Sequence, residues 1–302
     1  MRAVVLDRKG GPEVLVVRDV PAPEPTADEV LVDVVTTSVN RADLLQRQGL
    51  YPGPPMTHEI PGLELAGRVR SVGERVTTWQ PGDAVMGIIG GGGYAEQVAI
   101  HARQLLSVPE LLDLSVAGAV PEVFITAWDA LVVQGGLMSG RWALVHAGAS
   151  GVGTAAIQIV KALGGRIVVT ASAPKHDLCR ELGADEVVDY RTEDFVAAVR
   201  DLTGGRGVDV VLDVIGGEYL ARHLESVRVG GRVVQVGVMA GGRAEIDLGR
   251  LLPKRVSLIG TVLRARPLEE KIAITRRFSA EVLPLLAAGR LRPVIDSRFQ
   301  LD

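Results

Sequence analysis

One cysteine, Cys179, stands in 302 residues. A lone thiol excludes an internal disulfide and any Cys-rich zinc lobe within one chain. Its place inside a helical pattern marks it as a buried residue, not a reactive thiol. Long apolar runs are missing too: nothing approaches the ~20 uninterrupted residues that span a bilayer. The opening segment, Met1 to Asp7, has the pattern of a strand and not of a signal peptide. Nor is one sign of charge in excess, since a net charge of -3 gives no broad attraction for nucleic acid or acidic membranes. A cytoplasmic protein with neither nucleic acid nor membrane as partner is the expectation.

What is present is enough chain for two domains, because 302 residues exceed the roughly 100–200 typical of one. From Met1 to about Leu114, short β-rich segments (Ala3–Leu6, Val30–Thr36, Gly67–Val72, Ala84–Ile88) are punctuated by "PAPEP", "YPGPP" and "QPGD". From about Leu144 the texture becomes strand, helix, strand, helix: "WALVHAG", "GVGTAAIQIVKALG", "RIVVTA", "PKHDLCRELG", "EVVDY", "TEDFVAAVRDLTG", "VDVVLDVIG", "EYLARHLESVR", "RVVQVG". Nearly all-apolar strands in repeated βα units predict a parallel sheet buried on both faces. Ser172, with Pro174 behind it, and Thr192 are candidate helix caps, and Gly164, Gly183 and Gly204 are candidate helix stops. After "RVSLIGTV" a helical pattern runs from about Pro267 to Ala288.

The segment with the most chemistry is the turn after "WALVHAG". Gly151-Val152-Gly153-Thr154-Ala155-Ala156 fits G-x-G-x-x-G/A directly after an apolar strand and at the start of a helix. Gly151 permits the tight turn, Gly153 lets backbone approach a pyrophosphate, and Ala156 lets helix and strand pack closely. Gly148, Ser150, Gly151, Val152 and Gly153 are therefore candidate pyrophosphate-binding residues. A tight strand-to-helix turn with no ligand is the plainer alternative. NAD sites carry an acid about 20 residues further on, for the ribose 2′-hydroxyl. Here that place reads Thr170-Ala171-Ser172, with Lys175 close behind and Tyr190 ending the next strand. Without a carboxylate to repel a 2′-phosphate, the pattern favours NADP, with Ser172, Lys175 and Tyr190 at the adenine side.

Through "SVNRADLLQRQGLY", "PGLELAGRVRSVG", "GDAVMG", "GGGYAEQV", "AGASGVGTAAIQ", "LGAD" and "LDVIGG", the sequence resembles the medium-chain dehydrogenase/reductase superfamily over essentially its whole length. Within it the likeness is to the zinc-free, zeta-crystallin-like NADPH:quinone oxidoreductase branch. The resemblance implies an α/β protein: a Rossmann doubly wound parallel sheet (residues 120–264) inserted in a GroES-like β-barrel catalytic domain (residues 1–119 and 265–302). Where zinc-dependent relatives carry G-H-E and a cysteine ligand, this chain has Gly62-Leu63-Glu64 and "SVNRAD", so no metal is expected. His58 and His101 are lone histidines.

The same resemblance implies hydride transfer from NADPH to a quinone. Tyr51 and Asn40 are the catalytic candidates: Tyr51 on the acceptor side, where its phenol can hydrogen-bond the acceptor, and Asn40 at the nicotinamide. Thr126, Gly237, Leu263 and Arg264 are implied at the nicotinamide half. Each has a plainer reading: Tyr51 packing on Pro52 and Pro54, Asn40 capping "RADLLQ", Thr126 bonded to its own helix, Lys175 and Arg264 as surface cations. Asp43 and Glu64 read better as a structural turn and a buried hydrogen-bonding carboxylate than as an acid pair. Reduction of an activated C=C bond (an enone, enal or enoyl thioester) is the competing chemistry, and a non-catalytic NADPH-binding protein the competitor of another class. The branch also implies a homodimer paired through the last Rossmann strand. It further implies a helix and a strand beyond "FQLD", so the protein is either natively shorter than its relatives or represented here by part of its chain.

Overall fold

Valines at every second position set the first sheet. Val30 and Val32 on one strand, with Leu65, Val69, Val85, Val98 and Ile100 on its neighbours, form one buried cluster, as a pleated strand with one apolar face requires. The computed structural model describes residues 1–301 and divides the chain into two compact units: Met1–Ile125 with the segment from Arg264 onward, and Thr126–Leu263. The resemblance implied boundaries at 119 and 264. The first division lies later because the helix entered at Pro121 is tied into the first unit by the Glu122 N–H, which donates to Glu64.

In the first unit, β1 (Arg2–Leu6) and β2 (Leu15–Asp19) pair antiparallel. β3 (Glu29–Thr36), β4 (Glu64–Val72), β5 (Ala84–Ile88), β6 (Gln97–His101) and β7 (Leu106–Ser107) form an antiparallel sheet in the order β6-β3-β4-β5-β7. β4 starts at Glu64, three residues ahead of the expected Gly67: Glu64 through Gly67 are all buried, so the alternation that advertises a strand is absent there. The helices are α1 (Arg41–Arg47), α2 (Leu114–Ala117) and α3 (Pro121–Trp128), the last leading into the second unit.

The second unit is a six-stranded parallel sheet: β8 (Trp142–Val145), β9 (Arg166–Ala171), β10 (Glu186–Asp189), β11 (Val208–Asp213), β12 (Val227–Gln235) and β13 (Ser257–Gly260), in the order β10-β9-β8-β11-β12-β13. Four helices follow strands, α4 (Gly151–Ala162), α5 (His176–Glu181), α6 (Phe195–Leu202) and α7 (Tyr219–Ser226), and α8 (Leu248–Lys254) precedes β13. The order reverses at β8, and a parallel sheet offers its ligand crevice at the carboxyl ends of the strands flanking such a reversal. This is the Rossmann arrangement.

Three local expectations are corrected. Asp194, not Thr192, caps α6, accepting from the Val196 N–H at 3.0 Å; Thr192 belongs to the preceding turn, its N–H bonded to Asp189 O. Ser172 precedes a single 3-10 turn, Ala173–Lys175, and its side chain makes no capping bond. The C-terminal helical pattern is two helices, α9 (Leu268–Glu281) and α10 (Leu283–Ala287), divided at Val282 because Pro284 has no N–H to continue the ladder.

A buried polar chain ties the carboxyl ends of three strands together. His146, just past β8, bonds Thr170 Oγ1 through Nδ1 at 3.0 Å and His223 Nε2 through Nε2 at 2.9 Å; His223 Nδ1 lies 3.6 Å from the Asp213 carboxylate. Both rings are almost fully buried. Burial pushes both imidazoles below their ordinary value, His146 further by the neighbouring His223, while Asp213 pulls His223 partly back up. Both are therefore neutral when folded, with one proton shared between the two Nε2 atoms. Unfolded histidines gain protons below about pH 6.5, so the unfolded state then binds more protons and stability falls as pH falls. Urea unfolding of the wild type and a His146→Gln/His223→Gln double variant should show the wild type's advantage shrinking below pH 6.5, at about 1.4 kcal/mol per pH unit for each imidazole kept neutral. An advantage constant from pH 7.5 to 5 would refute a neutral pair.

Candidate functional site

The crevice at β8 is built by a turn with no spare room. Gly148 N–H donates to Thr170 O at 2.9 Å, and a Cβ there would stand 2.6 Å from the Val169 side chain. Ser150 caps α4, its Oγ accepting from Gly153 N–H at 3.1 Å, and a Cβ on Gly153 would lie 2.3 Å from Ala147 O. The requirement for small residues at both positions is thus steric. α4 is twelve residues long, and its first-turn N–H groups at Gly151 and Val152 have no acceptor within the helix. A helix end of this kind, carrying partial positive charge, suits a pyrophosphate.

Beside it, the pairing of Ala171 with Asp189 sets Ser172 next to Tyr190 at the ends of β9 and β10. Neither Ala171 nor Ser172 offers a carboxylate. Lys175 is exposed, its N–H bonded to Ser172 O at 2.9 Å. Tyr190 is 46% exposed, and the Arg191 guanidinium lies 5.7 Å from its ring centroid. Arg191 is a cation that the pattern of the sequence did not single out; its signal was its place beside Tyr190, just past β10. Gly237 follows β12, and a Cβ there would approach Val214 O to 3.1 Å. Leu263, a few residues past β13, and Thr126 on α3 are half-buried. The turn at Gly148–Gly153, Ser172, Lys175, Tyr190 and Gly237 thus share the carboxyl edge of the parallel sheet.

In the first unit, Asn40 ends the segment after β3. Its Nδ2 donates to Ser38 Oγ at 3.0 Å and to Glu64 Oε1 at 2.8 Å, and its backbone N–H to Asp43 Oδ2 at 2.8 Å. Glu64 also accepts from the Ser38 hydroxyl and, through Oε2, from Glu122 N–H at 2.8 Å. Burial pushes the Glu64 carboxyl up to about 7, its hydrogen-bond donors pulling it down and the Asp43 carboxylate pushing it further up. Glu122 is raised to about 8 by burial and then by Glu64 and Asp43. Asp43 lies in the first turn of α1 and not in a loop turn: its Oδ1 accepts from Gly62 N–H, at a glycine with φ +99, and its Oδ2 from Tyr94 OH at 3.0 Å. Burial raises its pKa too. Both N–H donors of the Asn40 carboxamide are committed and its side chain closes a capping box with Asp43 at the start of α1, so the only group it can offer a ligand is the acceptor Oδ1.

Tyr51 opens a segment with no regular structure, and its phenol hydroxyl bonds no protein group among the described residues. Arg264, expected at the cofactor, directs its guanidinium into the first unit: Nε to Gly90 O at 2.7 Å, Nη1 to Tyr51 O at 3.2 Å, Nη2 to Gln46 Oε1 at 2.6 Å. The residues at Gly62-Leu63-Glu64 do not fit a zinc ion. Leu63 is a buried hydrocarbon, both Glu64 oxygens already accept hydrogen bonds, and among the described residues no three His, Cys, Asp or Glu side chains cluster to hold a metal. No helix of the described residues is long and apolar enough to cross a membrane.

Known proteins share this arrangement. The model of the alcohol dehydrogenase GroES-like domain matches residues 26–110, and that of the zinc-binding dehydrogenases residues 151–280. Human quinone oxidoreductase is 32% identical over 305 residues, spanning all of this chain and 91% of that protein. The crystal structure of Escherichia coli quinone oxidoreductase complexed with NADPH superposes with a TM-score of 0.87 at 29% identity, over 98% of this chain and 91% of that one. That of the CurK enoyl reductase does so with a TM-score of 0.85 at 28% identity, over 97% and 90%. With likeness along the whole chain in both sequence and fold, this protein belongs to the quinone oxidoreductase family of the medium-chain dehydrogenase/reductase superfamily.

Proposed function

We propose that this protein is an NADPH-dependent quinone oxidoreductase that works without a metal. One observation carries the chemistry: Tyr51, whose hydroxyl has no protein partner among the described residues, stands in a unit whose buried Glu64 is engaged in hydrogen bonds and whose described residues offer no metal donor set. Bound NADPH supplies the hydride. The N–H groups of Gly151 and Val152 hold the pyrophosphate, with Gly148, Ser150 and Gly153 shaping the turn. Ser172, Lys175 and Tyr190, joined by Arg191, receive the 2′-phosphate. Thr126, Gly237 and Leu263 line the nicotinamide half. Asn40, its amide hydrogens held by Glu64 and Ser38, presents Oδ1 as an acceptor to a donor at that end. The phenol of Tyr51 donates a hydrogen bond to the quinone oxygen as negative charge grows on it, and the one proton that completes the hydroquinone after hydride transfer comes from solvent. The E. coli relative's complex with NADPH and the human relative's name support this reading.

The likeness to an enoyl reductase supports a second reading, hydride transfer to the β-carbon of an activated C=C bond. We propose further that the protein is cytoplasmic and forms a homodimer through β13, the last strand of the sheet order, where Leu258 is 42% exposed. A proline at Ile259 should remove ladder hydrogen bonds and shift the protein to monomer or aggregate. A wild-type monomer by light scattering at micromolar concentration would contradict the dimer.

Lys175→Ala should weaken NADPH by roughly 10- to 100-fold, as loss of one charge-assisted bond to a phosphate does, and leave NADH nearly unchanged in a fluorescence titration. Wild-type protein that binds NADH as tightly as NADPH would end the NADPH assignment.

Tyr51→Phe keeps the ring and removes the donor. Quinone kcat and kcat/KM should fall about 10- to 100-fold, with NADPH affinity unchanged. Wild-type turnover by Tyr51→Phe would make Tyr51 a packing aromatic. A much larger defect on enones than on quinones would favour the second reading, because an enolate needs its proton delivered.

A further inference from the structure

The segment that carries Tyr51 is built so that it cannot hold itself. Pro52, Pro54 and Pro55 have no N–H to donate, and Tyr51 through His58 form no helix or strand. Among the described residues the segment receives one hydrogen bond, at Tyr51 O, and the donor is Arg264 Nη1 at 3.2 Å. The same guanidinium lies over the Tyr51 ring, its Cζ 4.9 Å from the centroid. One side chain thus grips both the backbone and the ring of the residue to which the acceptor oxygen is assigned.

The grip is anchored on better-ordered ground. Arg264 Nη2 donates to Gln46, fully buried on α1, and Nε to Gly90 O, two residues past β5. Gln46 is fixed in turn: its Nε2 donates to Glu59 at 3.0 Å, and Lys9 pairs with the same carboxylate at 2.6 Å. The fit is close enough that a Cβ on Gly53 would stand 2.8 Å from both Arg264 Nη2 and Gln46 Nε2. Only a planar fork with donors on three nitrogens reaches these three acceptors while lying over an aromatic ring; an ammonium on a flexible stem does not.

We propose that Arg264 is a positioning residue for acceptor reduction: it sets the place and tilt of the Tyr51 phenol, and acts on turnover through that tyrosine and not by binding the cofactor. This rests on the assignment of Tyr51 to the acceptor oxygen, and a double-mutant cycle separates the two. Arg264→Lys and Arg264→Met are each made in the wild type and in Tyr51→Phe, with quinone kcat, KM and NADPH affinity measured for all. Either Arg264 variant should lower kcat by roughly tenfold in the wild-type background, lysine giving no rescue, with NADPH affinity unchanged. In the Tyr51→Phe background the same change should have little further effect. Equal losses in both backgrounds, or a loss confined to NADPH affinity, would overturn the proposal and return Arg264 to the cofactor. Full activity of Tyr51→Phe would overturn the assignment of the phenol and this proposal with it; a slow Tyr51→Phe with additive Arg264 losses would overturn this proposal alone. If the Arg264 variants do not fold, Gln46→Met, which removes an anchor and leaves the arginine, runs the same cycle: a kcat loss that vanishes with Tyr51→Phe supports the proposal, and an additive one overturns it.

Discussion

A buried carboxylate surrounded by donors and no cation organises the first unit. Glu64 accepts from the Ser38 hydroxyl, the Asn40 carboxamide and the Glu122 backbone N–H, and so joins the start of β4, the segment before α1 and the first turn of α3. Removing a charge from water costs several kcal/mol even after relaxation, whereas hydrogen bonds to the charged form recover part of that cost. Its pKa of about 7 records the contest: burial raises it, the donors lower it, and the Asp43 carboxylate raises it again. The consequence for Asn40 is directional. An amide whose hydrogens are held by a carboxylate cannot donate to a substrate, so its remaining group is an acceptor, and the donor that an acceptor oxygen needs has to come from elsewhere.

In the second unit the governing constraint is steric. Parallel strands must be buried on both faces, and β8 is buried at every position. The chain leaving it has to turn at once into α4, and the distances a Cβ would meet at Gly148 and Gly153 show how little volume that leaves. The turn is then capped from within by Ser150, so the free N–H groups of α4 are those at its open end. Beneath it the His146–His223 pair links β8 to α7. The cradle stands on polar groups that are nearly all satisfied, His223 Nδ1 being the exception.

The sheet of the second unit was legible because its strands are apolar runs separated by glycine and helical spacing, and the glycine turn because its spacing is tied to a fixed shape. What was not legible has local causes. The start of β4 hid because four consecutive buried residues erase the period of two. Asp194 displaced Thr192 as a cap because a candidate cap two residues early cannot be told apart without the backbone angle. The helix after Pro267 looked continuous because a proline two positions into a helix is tolerated, and the pattern does not say which helix it begins. For the site, residue types were readable and their engagements were not. Asn40 and Glu64 are 24 positions apart, and Arg264 meets Gln46 across 218; no local pattern encodes either pair.

In the reading proposed above, those long-range pairings are what let a scaffold associated with zinc chemistry dispense with the ion. A metal polarises an acceptor oxygen by its own charge. At Gly62-Leu63-Glu64, leucine replaces a nitrogen donor by hydrocarbon, and the glutamate, instead of facing a cation, is saturated by neutral donors. Under the proposed function, the demand for stabilisation at the acceptor oxygen then falls on a weaker electrophile, the single phenol hydrogen of Tyr51. One hydrogen bond contributes to a transition state only if it is already in place when charge develops, so its value rests on how firmly the phenol is held. Here the holding group is a guanidinium, over the ring and bonded to the carbonyl of the same residue. A quinone, which accepts hydride with little help, is the kind of electrophile such an arrangement can serve.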